Sequence, residues 1–211
     1  DIVVTDGATA IHIKKGKEKV LELNGHSLSF ASNLSSATDL IKNEGTLTIK
    51  DCTDVNKDGT GKGLITNKAL NPDKTHEFPY YANNTISNFG NLIIESGYLE
   101  NTTEGGASYV IDNLSTINNA ILQINGGKIV SPKNFAVRLY ANSTIYKNTV
   151  TITNGILEGI RAIWLQLPGS SGEKKLAEIN ISGGTLKSID IEYYLAIYSY
   201  TFGDSFENTN I

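Results

Sequence analysis

Apolar and polar positions along the chain fall into one short phrase that returns six times. It reads apolar, polar, apolar, a turn, Gly or another small residue, then a second apolar pair. The copies occupy residues 21–28, 47–51, 92–99, 122–129, 150–157 and 179–186. Anchored on their second apolar residue they sit at Leu23, Ile49, Ile94, Ile124, Ile152 and Ile181, at spacings of 26, 45, 30, 28 and 29. Strict alternation over three to five residues bounded by Asn and Gly is the pattern of a strand. A fixed period near 28 residues is that of a solenoid.

The one long interval is explained by two insertions into a single repeat, residues 52–62 and 69–81, on either side of the Gly63-Leu64-Ile65-Thr66 strand. A third apolar segment closes each unit, at Leu40-Ile41, Ile86, Val110-Ile111, Val137-Arg138-Leu139, Ile163-Trp164-Leu165 and Leu195-Ala196-Ile197. A coil of three short strands cannot bury its apolar face alone, whereas coils stacked at about 4.8 Å can. The expected fold is therefore all-β: a single right-handed parallel β-helix over residues 1–211, with about six coils and almost no helix. Residues 1–19 form an N-terminal cap or first partial coil, and the aromatic stretch 193–211 caps the other end. A β-sandwich would show hairpin turns and no period near 28.

Composition narrows the partners. Of 211 residues 19% are charged, while 20 Gly, 22 Asn and 37 Ser plus Thr supply turns and an uncharged polar surface. The net charge is −4, with only two Arg among 18 basic residues, so nucleic acid is not an expected partner. No apolar run reaches the roughly 20 residues of a membrane-spanning helix. Cys52 is the single cysteine, which rules out an internal disulfide, and the absence of Met points to a piece of a longer chain.

The phrases Ile11-His12-Ile13-Lys14-Lys15-Gly16 and Val20-Leu21-Glu22-Leu23-Asn24-Gly25-His26-Ser27-Leu28 resemble the first coil of pectate-lyase-like β-helices. Gly45-Thr46-Leu47-Thr48-Ile49-Lys50-Asp51 and Ile181-Ser182-Gly183-Gly184-Thr185-Leu186 resemble later coils of the same group. Such coils recur in surface proteins of gut bacteria and in phage fibre proteins. The resemblance implies a fold and a virion or cell-surface setting, and it brings no catalytic residue with it.

Stacked coils turn the repeat alignment into columns. The inward entries after the third apolar segment are Asn43, Asn88 and Asn113, then Leu139, Leu165 and Ser199, which predicts an asparagine ladder of three rungs. The outward column reads Lys42, Ser87, Asp112, Arg138, Trp164, Tyr198, with Tyr140, Gln166 and Tyr200 two residues on. A protruding Trp and several Tyr beside an acid and a base form a candidate contact face for a glycan or a protein, built from Asp112, Arg138, Tyr140, Trp164, Tyr198 and Tyr200. The alternative is that Trp164 packs under the 169–172 turn or against Tyr198, with Asp112 and Arg138 as a ladder salt bridge.

Other chemistry is sparse. Asp54-Val55-Asn56-Lys57-Asp58-Gly59 matches the first half of a calcium loop, making Asp54, Asn56 and Asp58 candidate ligands, but Ile65 stands where the closing acid belongs. Asp51 and Glu95 fall in a turn column without a third acid. His12, His26 and His76 share no column, so no cofactor is expected. The expected function is a non-catalytic structural and recognition module of a phage virion fibre or tail component, associating with other structural subunits or with itself. The alternatives are a bacterial adhesin that binds glycans of a host surface, and a polysaccharide lyase or hydrolase.

Overall fold

Short alternating segments separated by Gly and Asn turns leave each strand too short to bury its apolar side within one coil. The chain resolves this by laying every strand on the equivalent strand one turn later. The computed structural model describes residues 1–31, 39–69, 83–103, 108–168, 175–190 and 195–201, with residues 200 and 201 by backbone alone. Among these residues the structure is an all-β parallel solenoid of about five turns without helix, close to the six coils expected. The 69–81 insertion lies almost wholly, and the C-terminal aromatic stretch largely, outside the described residues.

The chain opens with β1 (Ile2–Val4), β2 (Ile11–Ile13), β3 (Glu18–Glu22) and β4 (Ser27–Phe30), the last of which lies on β1 one coil later. Next come β5 (Ile41–Asn43), β6 (Thr46–Lys50), β7 (Leu64–Asn67), β8 (Ile86–Asn88), β9 (Asn91–Ile94), β10 (Tyr98–Asn101) and β11 (Ile111–Leu114). Two long bent strands, β12 (Ala120–Tyr140) and β13 (Asn148–Leu167), each run through all three faces, followed by β14 (Ala177–Ile181), β15 (Thr185–Ser188) and β16 (Ile197–Thr201). Every pairing is parallel. The first sheet stacks β3, β6, β9, the start of β12 and β13, and β14. The second stacks β1, β4, β7, β10, the middle of β12 and β13, and β15. The third stacks β2, β5, β8, β11, the ends of β12 and β13, and β16.

Register carries the repeat into space. Ile49, Ile94, Ile124, Ile152 and Ile181 lie one above another, as do Leu28, Ile65, Leu99, Ile129, Leu157 and Leu186. These stripes fill the interior, and each buried Leu or Ile contributes about 1.5 to 3 kcal/mol. The first rung of the first sheet is an exception. Lys19 occupies the inward column of Leu47, Leu92, Leu122, Val150 and Ile179 and stays exposed, an inward charge of the kind that blunts a sheet edge.

Two corners are sealed by asparagine. Asn43 Nδ2 donates to Asn88 Oδ1 at 2.7 Å, Asn88 to Asn113 at 2.6 Å, and Asn113 to Asn148 at 2.6 Å. The ladder thus has a fourth rung that the repeat alignment places elsewhere. Where the sequence columns continue to Leu139, the 141–147 turn brings Asn148, the first residue of β13, back under Asn113. The amides also satisfy carbonyls of the adjoining sheet, Asn43 with Asn91 O and Asn88 with Gly90 O and Ile121 O. At the opposite corner Asn67 and Asn101 both donate to Asn83 O.

Replacing Asn88 with Ala removes the middle of the ladder and strands Asn43 and Asn113. The expected loss is about 3 kcal/mol of stability, measured by urea unfolding, against less than about 1 kcal/mol for the exposed Asn142→Ala.

Candidate functional site

Parallel register sets Lys42, Ser87, Asp112, Arg138, Trp164 and Tyr198 in one line on the outer face of the third sheet, the order expected from sequence, and adds His12 ahead of Lys42. The side chains, however, do not form an open platform. Trp164 is only 5% exposed and Asp112 only 2%, so the expectation of a protruding indole is corrected. Phe135 lies 4.9 Å and Tyr109 5.9 Å from the indole, ring centre to ring centre, and together they roof it. The residues of the 169–172 turn lie outside the described set.

Beneath that roof Arg138 and Asp112 bind each other through two parallel hydrogen bonds, Nε to Oδ1 at 2.8 Å and Nη2 to Oδ2 at 2.6 Å. Nη1 donates to Gln166 Oε1 at 3.2 Å. The guanidinium stacks 4.5 Å from the Tyr109 ring and 4.9 Å from that of Tyr140. Burial opposes its charge, but Asp112 outweighs burial and holds Arg138 firmly protonated. Burial also pushes the Tyr109 hydroxyl well above the usual phenol range. Among the described residues, Trp164 Nε1 is buried without a hydrogen-bond partner. Tyr198, 37% exposed, is the open end of the column, its ring 6.0 Å from the Arg161 guanidinium. Tyr200 pairs through its backbone with Gln166.

The roofing residues belong to a column that the sequence reading passed over. Asp39, Asn84, Tyr109, Phe135 and Arg161 each stand two residues before the inward apolar residue of a third-sheet strand, at Ile41, Ile86, Ile111, Val137 and Ile163. That constant offset is the signal that would have found them. Asn84 links the column to the strand face, its Nδ2 donating to Ser87 Oγ at 3.1 Å and to Asp112 Oδ2 at 3.2 Å.

The calcium-like segment is a strap along the corner between the first and second sheets. Asp54 accepts hydrogen bonds from the backbone N–H groups of Asp58, Gly59 and, one coil away, Gly97. Gly127, a further coil on, donates to Lys57 O at 2.6 Å. Gly59 adopts φ +78°, and a Cβ there would lie 2.2 Å from Lys128 Cβ, so only glycine fits. Asp58 turns to the Thr60 hydroxyl and N–H, which hold its carboxyl below the usual range, and Asn56 is exposed. Thus Asp54 and Asp58 aim oxygens at backbone donors, not at a common centre.

Beside the strap, a groove of about 290 Å³ is lined by Glu22, Lys50, Asp51, Cys52, Asp54, Lys57, Glu95 and Ser96. Ligand atoms of Glu22, Asp51 and Cys52 approach within 4.8 Å of one another there. These atoms are already engaged. Asp51 accepts from Gly25, Thr53 and Gly63, Glu22 from Asn24 and Cys52, and the Cys52 thiol donates to Asn24 Oδ1. Burial works against the Asp51 charge, but those hydrogen bonds hold its carboxyl below the usual range.

On the second sheet Glu100 and Glu158 share a column two rungs apart, with Val130 between. Glu100 accepts from the Thr66 and Tyr98 hydroxyls, and Glu158 pairs with Lys187. Burial, followed by the Glu100 charge, pushes the Tyr98 hydroxyl up to about 12. Compared with known proteins, the chain matches no family model, no curated protein and no solved structure.

Arg138→Met alone leaves the Asp112 charge buried and unpaired, and is expected to cost about 3 to 5 kcal/mol in urea unfolding. The double variant with Asp112→Leu is expected to recover most of that loss. Asp54→Ala frees three backbone donors and should lower stability by about 2 kcal/mol. Because the wild-type oxygens already face N–H groups, millimolar calcium is expected to leave the thermal midpoint unmoved.

Proposed function

We propose that this protein is a non-catalytic structural and recognition module, a rigid solenoid spacer of a phage virion fibre or tail component. The observation that carries this reading is the closed Asp112–Arg138 pair. The acid and base that stand together on the outer face are spent on each other, on Asn84 and on Gln166, and three aromatic rings cover them. A group that must exchange protons or grip a substrate needs free lone pairs or donors facing a space a substrate can enter. This pair instead stiffens the sheet.

Recognition then falls to the margin of the same column. Tyr198 is exposed beside the roofed Trp164, and Tyr140 is half-buried, giving aromatic surface at the C-terminal end of the solenoid. That margin also favours a second reading, a bacterial surface adhesin holding a neutral or acidic glycan against Tyr198.

The test combines binding and turnover. Wild type is expected to retain envelope polysaccharide in a pull-down, and Tyr198→Ala to weaken retention by about tenfold with an unchanged melting midpoint. Incubation with pectic or other acidic polysaccharides is expected to release neither reducing ends nor unsaturated products. Release that disappears in Asp112→Asn would replace this reading with an enzymatic one.

A further inference from the structure

An asparagine followed by glycine can close on itself, because no Cβ keeps the glycine nitrogen away from the side-chain carbonyl carbon of its neighbour. The chain has three such pairs, Asn24-Gly25, Asn125-Gly126 and Asn154-Gly155, all at the corner between the first and second sheets. Closure needs the amide to swing onto the main chain, so a partner that holds the amide in place prevents it. Asn125 is held at both ends: its Nδ2 donates to Glu95 Oε1 at 2.9 Å, and its Oδ1 accepts from Thr153 Oγ1 at 3.0 Å. Asn24 Oδ1 accepts from the Cys52 thiol at 3.0 Å, and the Gly25 N–H that would have to attack is tied to Asp51 Oδ1 at 2.9 Å.

Register explains why the third pair escapes. Asn154 lies on Asn125, whose amide is already committed to Glu95 and Thr153. On its other side, two residues beyond the pairing of Ile152 with Ile181, the next coil presents Gly183, which has no side chain to offer. The Asn154 side chain is exposed and has no hydrogen-bond partner among the described residues.

We propose that Asn154 and Gly155 form a self-modifying site, at which the folded chain loses ammonia and rebuilds its own main chain, loosening β14 and β15. The Gly155 nitrogen attacks Asn154 Cγ: the N–Cγ bond forms, the Cγ–Nδ2 bond breaks, and ammonia leaves with the proton that the Gly155 nitrogen gives up. Water then opens the resulting ring at either carbonyl. One opening leaves aspartate; the other leaves isoaspartate, in which the main chain runs through the side-chain carbon and is longer by a methylene. The next coil has no room for that methylene. A Cβ on Gly183 would lie 2.2 Å from Thr153 O, and one on Gly184 2.9 Å from Gly155 O and 3.1 Å from Asn154 C, so these main chains already touch. Isoaspartate at this corner therefore pushes β14 and β15 off β13, whereas aspartate changes only the charge.

The test keeps folded wild type in mildly alkaline buffer at body temperature, with a second portion in urea, and follows both by peptide mass spectrometry. In the folded protein Asn154 is expected to gain about one mass unit at least about tenfold faster than Asn24 or Asn125, while in urea the three rates fall within about threefold of one another. Equal rates at the three pairs in the folded protein, or an Asn154 that reacts only in urea, overturn the proposal. Deamidated protein, isolated by ion exchange and shown by peptide mapping to carry isoaspartate, is then compared with Asn154→Asp, which has the same charge without the longer main chain. It is expected to melt at least about 2 °C below that variant. Matching midpoints sink the loosening of β14 and β15.

Discussion

Parallel stacking in register at about 4.8 Å obliges every residue to sit on the residue that occupies the same place one coil later. All else in this molecule follows from whether that neighbour is compatible. Aliphatic residues tolerate themselves without limit, which is why the Ile49 to Ile181 and Leu28 to Leu186 stripes run nearly the length of the solenoid. Asparagine is the polar residue best suited to the same demand, since its amide carries both a donor and an acceptor. Asn43, Asn88, Asn113 and Asn148 can therefore hydrogen-bond in series inside the core, where a buried amide left alone would cost about 1 to 3 kcal/mol.

Charge obeys the opposite rule. A column cannot carry the same charge on successive rungs, so acids and bases alternate or are insulated. Asp112 and Arg138 occupy neighbouring rungs and neutralise each other, Glu158 is followed by Lys187, and Glu22 by Lys50. Between neighbouring columns, Asn84 stands between Asp39 and Asp112 and donates to both carboxylates. The outer face of the third sheet is for this reason an electrostatic arrangement before it is a surface for partners.

Columns made the fold legible from sequence because they depend only on counting. The period placed Ile124 on Ile152 and Arg138 on Trp164, and both registers hold. Counting failed where a turn changed length. Leu139 does pair with Asn113 as counted, but the 141–147 turn also brings Asn148, at the start of β13, to the Asn113 side chain, and the ladder gained a rung. It also failed to report what covers a column, because burial of Trp164 comes from Tyr109 and Phe135, which sit around the corner at an offset of two residues from the strand. The Asp54 segment shows the same limit. Its spacing of acidic residues is that of a calcium loop, yet Asp54 is turned to the N–H groups of Asp58, Gly59 and, one coil on, Gly97, and Asp58 to Thr60.

The strap also changes how the molecule responds to load. A plain solenoid pulled from its ends comes apart like a zip, one coil at a time, with only one set of bonds resisting at any moment. The 52–62 segment leaves one coil and fastens to the next two through Asp54 and Lys57, so those windings must slide past one another together before any separates. Sliding breaks many bonds at once, and this stretch is where a tether under tension would keep its length.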